Sequence, residues 1–252
     1  MTALLKKEIQ QGPENLKEVL EEDPENEFAR LENLYGHLQG LELLDRMINH
    51  ELRGRIALVS SFGAESVILL HMVAQVNKAT PVIFLNTQKL FGETLKYRDQ
   101  IVKQLGLSNL ITILPDADDV EREDRNGLLW ARDTDACCDL RKVRPLAQAM
   151  NGYQAWITGR KRFQSSSRAS IPLIERDGAT IKLNPLALWD EETIEQKIKT
   201  IGLPPHPLVA EGYPSIGCMP CTARVELGQD KRSGRWAGAE KTECGIHLGE
   251  NI

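Results

Sequence analysis

Residues 55–85, RIALVSSFGAESVILLHMVAQVNKATPVIFL, contain the pattern from which the fold class can be predicted. This stretch holds a short apolar run at 56–59, a turn of small residues, an apolar helical pattern at 64–77 and a second apolar run at 81–85. Short apolar runs separated by helical stretches are typical of buried strands. Alternating βα units predict a largely parallel sheet with helices on both faces. Ligands bind such sheets at the carboxyl ends of the strands.

The alternation continues along the chain. The further predicted elements are strands at 110–114 and 155–158 and helices at 92–105, 141–151 and 191–201. Residues 171–174 and 180–183, joined through Asp177-Gly178, predict a hairpin added to the sheet. The predicted fold class is therefore α/β, with three layers and a mostly parallel sheet.

The two ends of the chain differ from this central region. Residues 14–50 predict two helices separated by Pro24. Their apolar faces are formed by Leu16, Val19 and Leu20, and by Leu31, Leu34, Leu38, Leu41 and Leu44. After residue 222 the chain is rich in glycine and charge, which predicts a loop-like, mobile tail. The expected organisation is a helical segment at 1–50, an α/β domain at 51–222 and a tail at 223–252.

Composition narrows the class of protein. The chain has 252 residues, 41% of them hydrophobic and 27% charged, which favours one large folded domain over disorder. No apolar run approaches the roughly 18 residues that span a bilayer, and the first residues do not resemble a secretory signal. We therefore expect a cytoplasmic protein without a membrane partner. The net charge, 31 − 36 = −5, argues against general nucleic-acid binding.

The positive charge is concentrated. Residues 141–168 contain seven bases and no acid: Arg141, Lys142, Arg144, Arg160, Lys161, Arg162 and Arg168. A second group, Lys231-Arg232-Ser233-Gly234-Arg235, lies in the tail. Arginine forks suit phosphate and sulfate oxygens, so these groups indicate an anion site. A solvated basic face is the alternative.

A small-residue loop follows the first predicted strand and precedes a helix. Its residues are Ser60, Ser61, Phe62, Gly63, Ala64, Glu65 and Ser66. Converging backbone N–H groups, hydroxyls and a helix N-terminus favour a phosphate or sulfate there. The loop lacks the endings of a Walker A or dinucleotide-binding motif. By itself it is equally consistent with a strand-to-helix turn capped by serine.

Four of the five cysteines form two pairs, Cys137-Cys138 and Cys218-x-x-Cys221. Without a secretory signal, a disulfide framework is not expected. Four thiolates are the ligand set of an iron–sulfur cluster or a structural zinc. Adjacent cysteines favour iron, because a cluster offers separate irons to the two sulfurs. Four buried, purely structural cysteines remain the alternative.

The fifth cysteine, Cys244, lies in Lys241-Thr242-Glu243-Cys244-Gly245-Ile246-His247, near the end of the polar tail. Lys241 and His247 could favour its thiolate, although Glu243 opposes them. A nucleophilic cysteine on a mobile arm could meet a substrate in one state and a redox partner in another. An incidental surface cysteine fits the local sequence equally well.

Six segments together resemble the iron–sulfur branch of the APS/PAPS reductase family, the assimilatory adenylyl sulfate (APS) reductases. They are SSFGAES at 60–66, CCDLRKVRPL at 137–146, GRKRFQSSSR at 159–168, YPSIGCMPCT at 213–222, RSGRW at 232–236 and KTECGIH at 241–247. The resemblance spans roughly residues 55–250, and the order of the motifs makes it specific.

The resemblance implies a fold of the PP-loop, adenine nucleotide alpha hydrolase-like type. It implies that Cys137, Cys138, Cys218 and Cys221 hold a [4Fe-4S] cluster, and that Lys142 lies between cluster and substrate. The loop at 60–66 would bind the nucleotide end. The bases implied around the substrate are Lys142, Arg160, Arg162, Arg168, Arg232 and Arg235. Residues 51–222 would then be the nucleotide-binding domain, and 223–252 the catalytic tail.

The implied activity is thioredoxin-dependent reduction of APS to sulfite and AMP, a step of sulfate assimilation and cysteine biosynthesis. Cys244 would form a thiosulfonate intermediate, which thioredoxin or a similar dithiol would release. The sequence leaves a homo-oligomer open. PAPS reduction, an ATP-using PP-loop sulfurtransferase and a non-enzymatic redox sensor are the alternatives. The usual SGGxDS spelling of the sulfurtransferases is absent from the loop.

Two departures from the family pattern concern nucleotide recognition. Where the family commonly shows LDTG, this chain has Leu85-Asn86-Thr87-Gln88. An aspartate only accepts hydrogen bonds, whereas asparagine also donates them. Lys161 stands where the basic motif commonly has a second arginine.

Overall fold

The structure is a computed structural model that describes residues 24–236, 241, 243 and 245–247. At its centre is a six-stranded sheet with the order β3-β2-β1-β4-β6-β5. The strands are β1 (Ile56–Val59), β2 (Val82–Leu85), β3 (Leu110–Ile113), β4 (Ala155–Ile157), β5 (Ile174–Asp177) and β6 (Thr180–Leu183). Neighbouring strands are parallel except for the antiparallel pair β5 and β6. The predicted α/β class with a mostly parallel sheet is confirmed.

The described helices lie between and around these strands. They are α1 (Pro24–Tyr35), α2 (Gly40–Asp45), α3 (Ser66–Val76), α4 (Gly92–Leu105), α5 (Ala117–Glu123), α6 (Leu129–Arg132), α7 (Thr134–Cys138), α8 (Arg144–Met150), α9 (Glu191–Thr200) and α10 (Pro207–Ala210). Short π-helical segments, Arg46–Glu51 and Asp139–Val143, follow α2 and α7. No described helix is long and apolar enough to cross a bilayer.

The sheet has a hydrophobic core on each face because successive strand residues point to opposite sides. The larger core contains Leu58, Phe84 and Ile157, together with side chains of α2, α3 and α4. Their strand neighbours, Ala57, Ile83 and Trp156, form the smaller core with Leu146 and Met150 around α8. Helices therefore cover both faces, as the three-layer prediction requires.

The described N-terminal helices pack onto the same core as the sheet. Leu31, Leu43 and Leu44 are fully buried in the larger core. Leu34 and Leu41, however, are 46% and 44% exposed, so the predicted leucine face is only partly buried. Leu16, Val19 and Leu20 lie outside the described residues.

The first strand of the hairpin begins three residues further along the chain than predicted, at Ile174 instead of residue 171. β5 begins at Ile174, and its register pairs Ile174 with Leu183 and Asp177 with Thr180. The strand continues to the turn, where Gly178 has a φ of +59°. Pro172, inside the predicted strand, has no N–H to donate to a partner strand.

The helices between β3 and α8 were not predicted. Asp116 caps α5 by accepting hydrogen bonds from the N–H groups of Asp118 and Asp119, and Asp133 caps α7 by accepting from Ala136. Aspartate is a preferred cap because its carboxylate satisfies open N–H groups at a helix start. The cap at Asp133 places Cys137-Cys138 on helical backbone.

His206 is a buried cap whose ionisation should affect stability. Its Nδ1 accepts from Leu208 N at 3.2 Å, so Nε2 carries the proton and donates to Thr94 Oγ1 at 3.1 Å. Burial lowers the pKa of His206 from 6.5 to about 4. Because the unfolded chain then binds the proton more readily, stability should fall as pH drops from about 6.5 to about 4, by about 1.4 kcal/mol per pH unit.

This expectation is tested by the free energy of urea unfolding between pH 4 and 7. His206→Asn keeps a capping oxygen but cannot titrate, so its unfolding free energy should depend less steeply on pH. Equal slopes for the two proteins would show that His206 does not control this transition.

Candidate active site

A cleft of about 440 Å³ opens at the carboxyl ends of β1, β2 and β4. Its walls come from the loop at 60–66, the segment at 158–168, the segment before the CxxC pair, the arm at 229–236 and the end of the tail. Lys142 of the 137–146 segment lines the cleft as well, so residues of all six motif segments meet in one place. This is the position that the parallel sheet predicts for a ligand.

The loop at 60–66 is fixed by its own short contacts. Ser60 Oγ accepts a hydrogen bond from Phe62 N at 3.2 Å. Phe62 adopts a φ of +50°, and its buried ring packs edge-on against Phe84 at 5.5 Å. A Cβ on Gly63 would lie 3.3 Å from the carbonyl oxygen of Ile216, so a side chain would crowd the opposite wall. Six of the seven predicted loop residues line the cleft, whereas Phe62 anchors the loop in the core.

Glu65 joins the loop to the segment after β4. Its carboxylate accepts a hydrogen bond from Gln164 Nε2 at 2.9 Å and lies 2.7 Å from Lys161 Nζ. Lys161 also donates to the carbonyl oxygen of Gly159 at 3.0 Å. Burial lowers the pKa of Lys161, and the Glu65 carboxylate opposes that shift. This ion pair thus links the loop at 60–66 to the segment after β4.

The bases after β4 differ in where they lie. Arg160 is buried in the cleft wall, donates to Asn184 Oδ1 at 3.2 Å and pairs with Glu175. Arg168 is also buried and lines the cleft. Arg162 is exposed, and its Nε donates to the carbonyl oxygen of Ile171 at 2.9 Å, outside the residues that line the cleft.

The arm at 229–236 is attached at both ends. Lys231 Nζ lies 2.6 Å from Glu191 and 2.7 Å from Glu195, both on α9. At the other end, Trp236 N donates to the carbonyl oxygen of Cys221 at 3.0 Å. The Arg235 guanidinium stacks over the Trp236 ring at 4.5 Å. These contacts bring Arg232 and Arg235 to the cleft and connect the arm to the CxxC pair.

The four paired cysteines lie together on one side of the cleft. Cys137, Cys138 and Cys218 are buried and Cys221 is partly buried, and all four line one small cavity. Thr87 Oγ1 lies 3.2 Å from Cys218 Sγ. Burial, reinforced by the Cys138 thiol, raises the pKa of Cys137 to about 11. Four thiols that line one cavity become thiolates when a metal centre is present, so the donor set fits a bound centre.

The cavity of the cysteines adjoins the cleft. Lys142 and Cys218 line both of them. Lys142 therefore lies where the two cavities meet, and its position between a cluster and a substrate stays a prediction. Within the described part of the chain, no three His, Cys, Asp or Glu side chains converge as ligands of a single ion.

Three described residues of the tail, Glu243, Ile246 and His247, line the cleft. Cys244 itself lies outside the described residues. Glu243 reaches Arg168, Ile246 packs with the smaller core, and the His247 ring stacks on Trp156 at 5.7 Å and 3°. Burial lowers the pKa of His247 well below its ordinary value, and nearby cations lower it further. The described tail residues thus have defined contacts, and the predicted mobility of the tail stays a prediction.

Three buried side-chain nitrogens in this region have no hydrogen-bond partner among the described residues. They are Arg235 Nε, Trp236 Nε1 and His247 Nδ1, and all three residues line the cleft. A buried polar group without a partner costs about 1–3 kcal/mol, so these atoms predict a ligand with polar atoms.

Sequence reasoning did not assign several residues that line the cleft. Thr87, Trp156, Gln164, Trp236 and His247 are among them. Lys161, which the sequence marked only as a difference from the family's basic motif, lines the cleft, whereas the predicted Arg162 does not. Most of these residues lie inside the six motif segments, and this was the signal that could have found them.

Asn86 and Gln88, the residues after β2 that depart from the family pattern, do not line the cleft. Gln88 adopts a φ of +60°, and its Oε1 accepts from Arg141 at 3.2 Å. Asn86 Oδ1 accepts from the Gln88 N–H at 3.1 Å. Between them, Thr87 does line the cleft. The side chains of Asn86 and Gln88 thus shape the turn that presents Thr87.

Comparison with known proteins assigns the family. The phosphoadenosine phosphosulfate reductase domain matches residues 55–224. An adenosine 5'-phosphosulfate reductase of Mesorhizobium japonicum is 52% identical over 87% of each chain, and one of a Chelativorans species is 49% identical over 90% of this chain and 93% of that one. A phosphoadenylyl-sulfate (PAPS) reductase structure from Candida auris shares the fold, with a TM-score of 0.65 and 24% identity over 79% of this chain and 96% of that one. The family model matches two thirds of the chain, and about half of the aligned residues are identical to those of such relatives, so the chain belongs to the phosphoadenosine phosphosulfate reductase family.

Proposed function

We propose that this protein reduces APS to sulfite and AMP. The observation that carries the proposal is the single cleft in which the small-residue loop, the bases and the cysteine wall meet. A loop before a helix suits a nucleotide phosphate, and buried arginines suit a phosphosulfate. The relatives named adenosine 5'-phosphosulfate reductase at about half identity support the same activity.

The chemistry assigned to Cys244 is a nucleophilic substitution at sulfur. The Cys244 thiolate attacks the sulfur of APS, a sulfur–sulfur bond forms, and the bond from that sulfur to the phosphate oxygen breaks. AMP leaves with the bonding electron pair, and the sulfonate stays on Cys244. Cations in the cleft, among them Arg168 and Arg235, offset the repulsion between the anionic nucleophile and the anionic substrate.

The second half of the reaction needs an external dithiol such as thioredoxin. A thiolate of the dithiol attacks Cys244 Sγ, and sulfite leaves with the electron pair of the broken sulfur–sulfur bond. The second thiol of the partner then resolves the mixed disulfide. The dithiol is oxidised to a disulfide, and sulfur is reduced from the sulfate to the sulfite level.

Cys137, Cys138, Cys218 and Cys221 are the residues that would hold a [4Fe-4S] cluster. Their side chains line one cavity from two segments, and the adjacent pair lies on helical backbone. In a cluster each thiolate binds its own iron, so the four sulfurs need to surround a volume. When bound, the cluster supplies metal charge that keeps these four thiols deprotonated beside the cleft.

PAPS is the competing substrate, because it carries the same phosphosulfate and one more phosphate. Three described bases of the cleft wall already have carboxylate partners: Arg160 pairs with Glu175, Lys161 with Glu65, and Lys231 with Glu191 and Glu195. A further phosphate bound by one of these three bases would have to displace a carboxylate. The four paired cysteines also favour APS, since the family branch without them uses PAPS.

The choice is tested by kcat/KM for the two nucleotides with the cluster-loaded protein and thioredoxin. We expect APS to be preferred at least about 100-fold, because an unmatched buried phosphate is strongly unfavourable. AMP and its 3'-phosphorylated form serve as matched inhibitors, and AMP should bind more tightly. Equal or faster reduction of PAPS would contradict the assignment.

A further inference from the structure

Glu243 has an unusual position for a residue next to the assigned nucleophile. Its carboxylate makes a two-point contact with Arg168: Oε1 lies 2.5 Å from Nε, and Oε2 lies 2.6 Å from Nη2. Ser165 Oγ donates to the same carboxylate at 3.2 Å, and Arg232 Nη2 lies 3.8 Å away. The carboxylate is therefore surrounded by the groups expected to bind a sulfate or phosphate.

The contact is shielded from water. The side chains of Arg168 and Glu243 are only 9% and 10% exposed. Burial raises the pKa of Glu243, but the hydrogen bonds and charge of Arg168 outweigh this effect and leave the pKa below its ordinary value. The lowered pKa favours the charged carboxylate of Glu243, whose charge compensates that of Arg168.

The guanidinium of Arg168 cannot bind a second anion in the same way. Nε and Nη2 are used by Glu243, and Nη1 donates to Gln164 Oε1. An arginine fork fits a carboxylate and the oxygens of a phosphate or sulfate with the same geometry. A substrate that uses Arg168 must therefore displace Glu243.

We propose that Glu243 is an internal competitor of the substrate: its carboxylate occupies the anion position at Arg168 until a phosphosulfate replaces it. The tail that carries Cys244 and the substrate then share one arginine. Substrate binding then releases the contact between Glu243 and Arg168. The inference rests on the proposed function, because the incoming anion is taken to be the phosphosulfate of APS.

The experiment measures APS binding by calorimetry in cluster-loaded protein with Cys244→Ser, which cannot form the thiosulfonate. In this background Glu243→Gln removes the competing charge and keeps the shape, so the Kd for APS should fall about tenfold. Glu226→Gln is the matched control, because Glu226 is an exposed tail residue that does not line the cleft. Its Kd should equal that of the Cys244→Ser parent.

A double-mutant cycle separates direct competition from long-range repulsion between anions. In an Arg168→Gln background the shared partner is absent, so Glu243→Gln should leave the Kd unchanged. If Glu243→Gln lowered the Kd for APS by a similar factor with and without Arg168, direct competition would be refuted. Unchanged or weaker binding in Glu243→Gln alone would also overturn it. A Cys244→Ser protein that binds no APS would instead refute the proposed function, and the inference with it.

Discussion

Replacing Cys244 by serine should abolish sulfite production, with a fall in kcat of at least about 10⁴-fold. A serine hydroxyl is a far weaker nucleophile at neutral pH than a thiolate, and no sulfur remains on the tail to accept the sulfonate. Sulfite and AMP are measured separately during turnover with thioredoxin. Both products should disappear together, since one bond-breaking step releases AMP and prepares sulfite.

Two controls distinguish this effect from misfolding. The Cys244→Ser protein should contain as much iron and labile sulfide as the wild type, because Cys244 is not one of the four paired cysteines. The Kd of the Cys244→Ser protein for APS should also be close to the inhibition constant of AMP for the wild-type protein. Sulfite production near the wild-type rate would remove Cys244 from the reaction.

Replacing Cys218 by alanine should remove most of the iron and the visible absorption of the purified protein. Cys218 is buried, lines the cavity of the four cysteines and also lines the cleft. Loss of one ligand leaves three thiols. Burial disfavours their deprotonation, as the raised pKa of Cys137 indicates. Activity should be lost as well, since Cys218 shapes the wall that both cavities share.

The readout is iron and labile sulfide per chain in anaerobically purified protein. Cys244→Ser is the matched control, since it also removes one thiol but should keep the iron. Thermal unfolding of Cys218→Ala shows whether the remaining fold persists. A colourless wild type that contains zinc would contradict the cluster proposal.

The central part of the fold could be predicted because local patterns and tertiary packing agree there. The apolar runs of β1 and β2 are short, buried and separated by one helical pattern. The pattern did not predict the short helices that begin after Asp116 and Asp133, because their starts depend on side-chain caps rather than on apolar periodicity. The exposure of Leu34 and Leu41 depends on how α1 and α2 meet the sheet, which spacing alone does not determine.

The candidate site was predictable as a set of segments and less so residue by residue. In GRKRFQSSSR the chain turns after Lys161, whose backbone is extended, into a short 3-10 helix that begins at Arg162. Lys161 therefore points to Glu65 while Arg162 is exposed. Charge pattern gives no information on which of two neighbouring bases faces inward.

Contacts between distant segments were beyond the sequence pattern. Glu243 and Arg168 are 75 residues apart, and sequence reasoning considered Glu243 only as a neighbour that opposes the Cys244 thiolate. The stacking of His247 on Trp156 likewise joins the tail to β4. Such contacts depend on where the described tail residues pack against the cleft, which periodicity and charge pattern do not determine.

The proposed reaction depends most on which atom carries the sulfonate, and we assign it to Cys244 Sγ. The most direct measurement is peptide mass spectrometry of the wild-type protein after one turnover with APS and without any dithiol. We predict one added SO₃ group, on the peptide that contains Cys244, which thioredoxin then releases as sulfite. An adduct on Cys137, Cys138, Cys218 or Cys221, or AMP release without any adduct, would contradict the account.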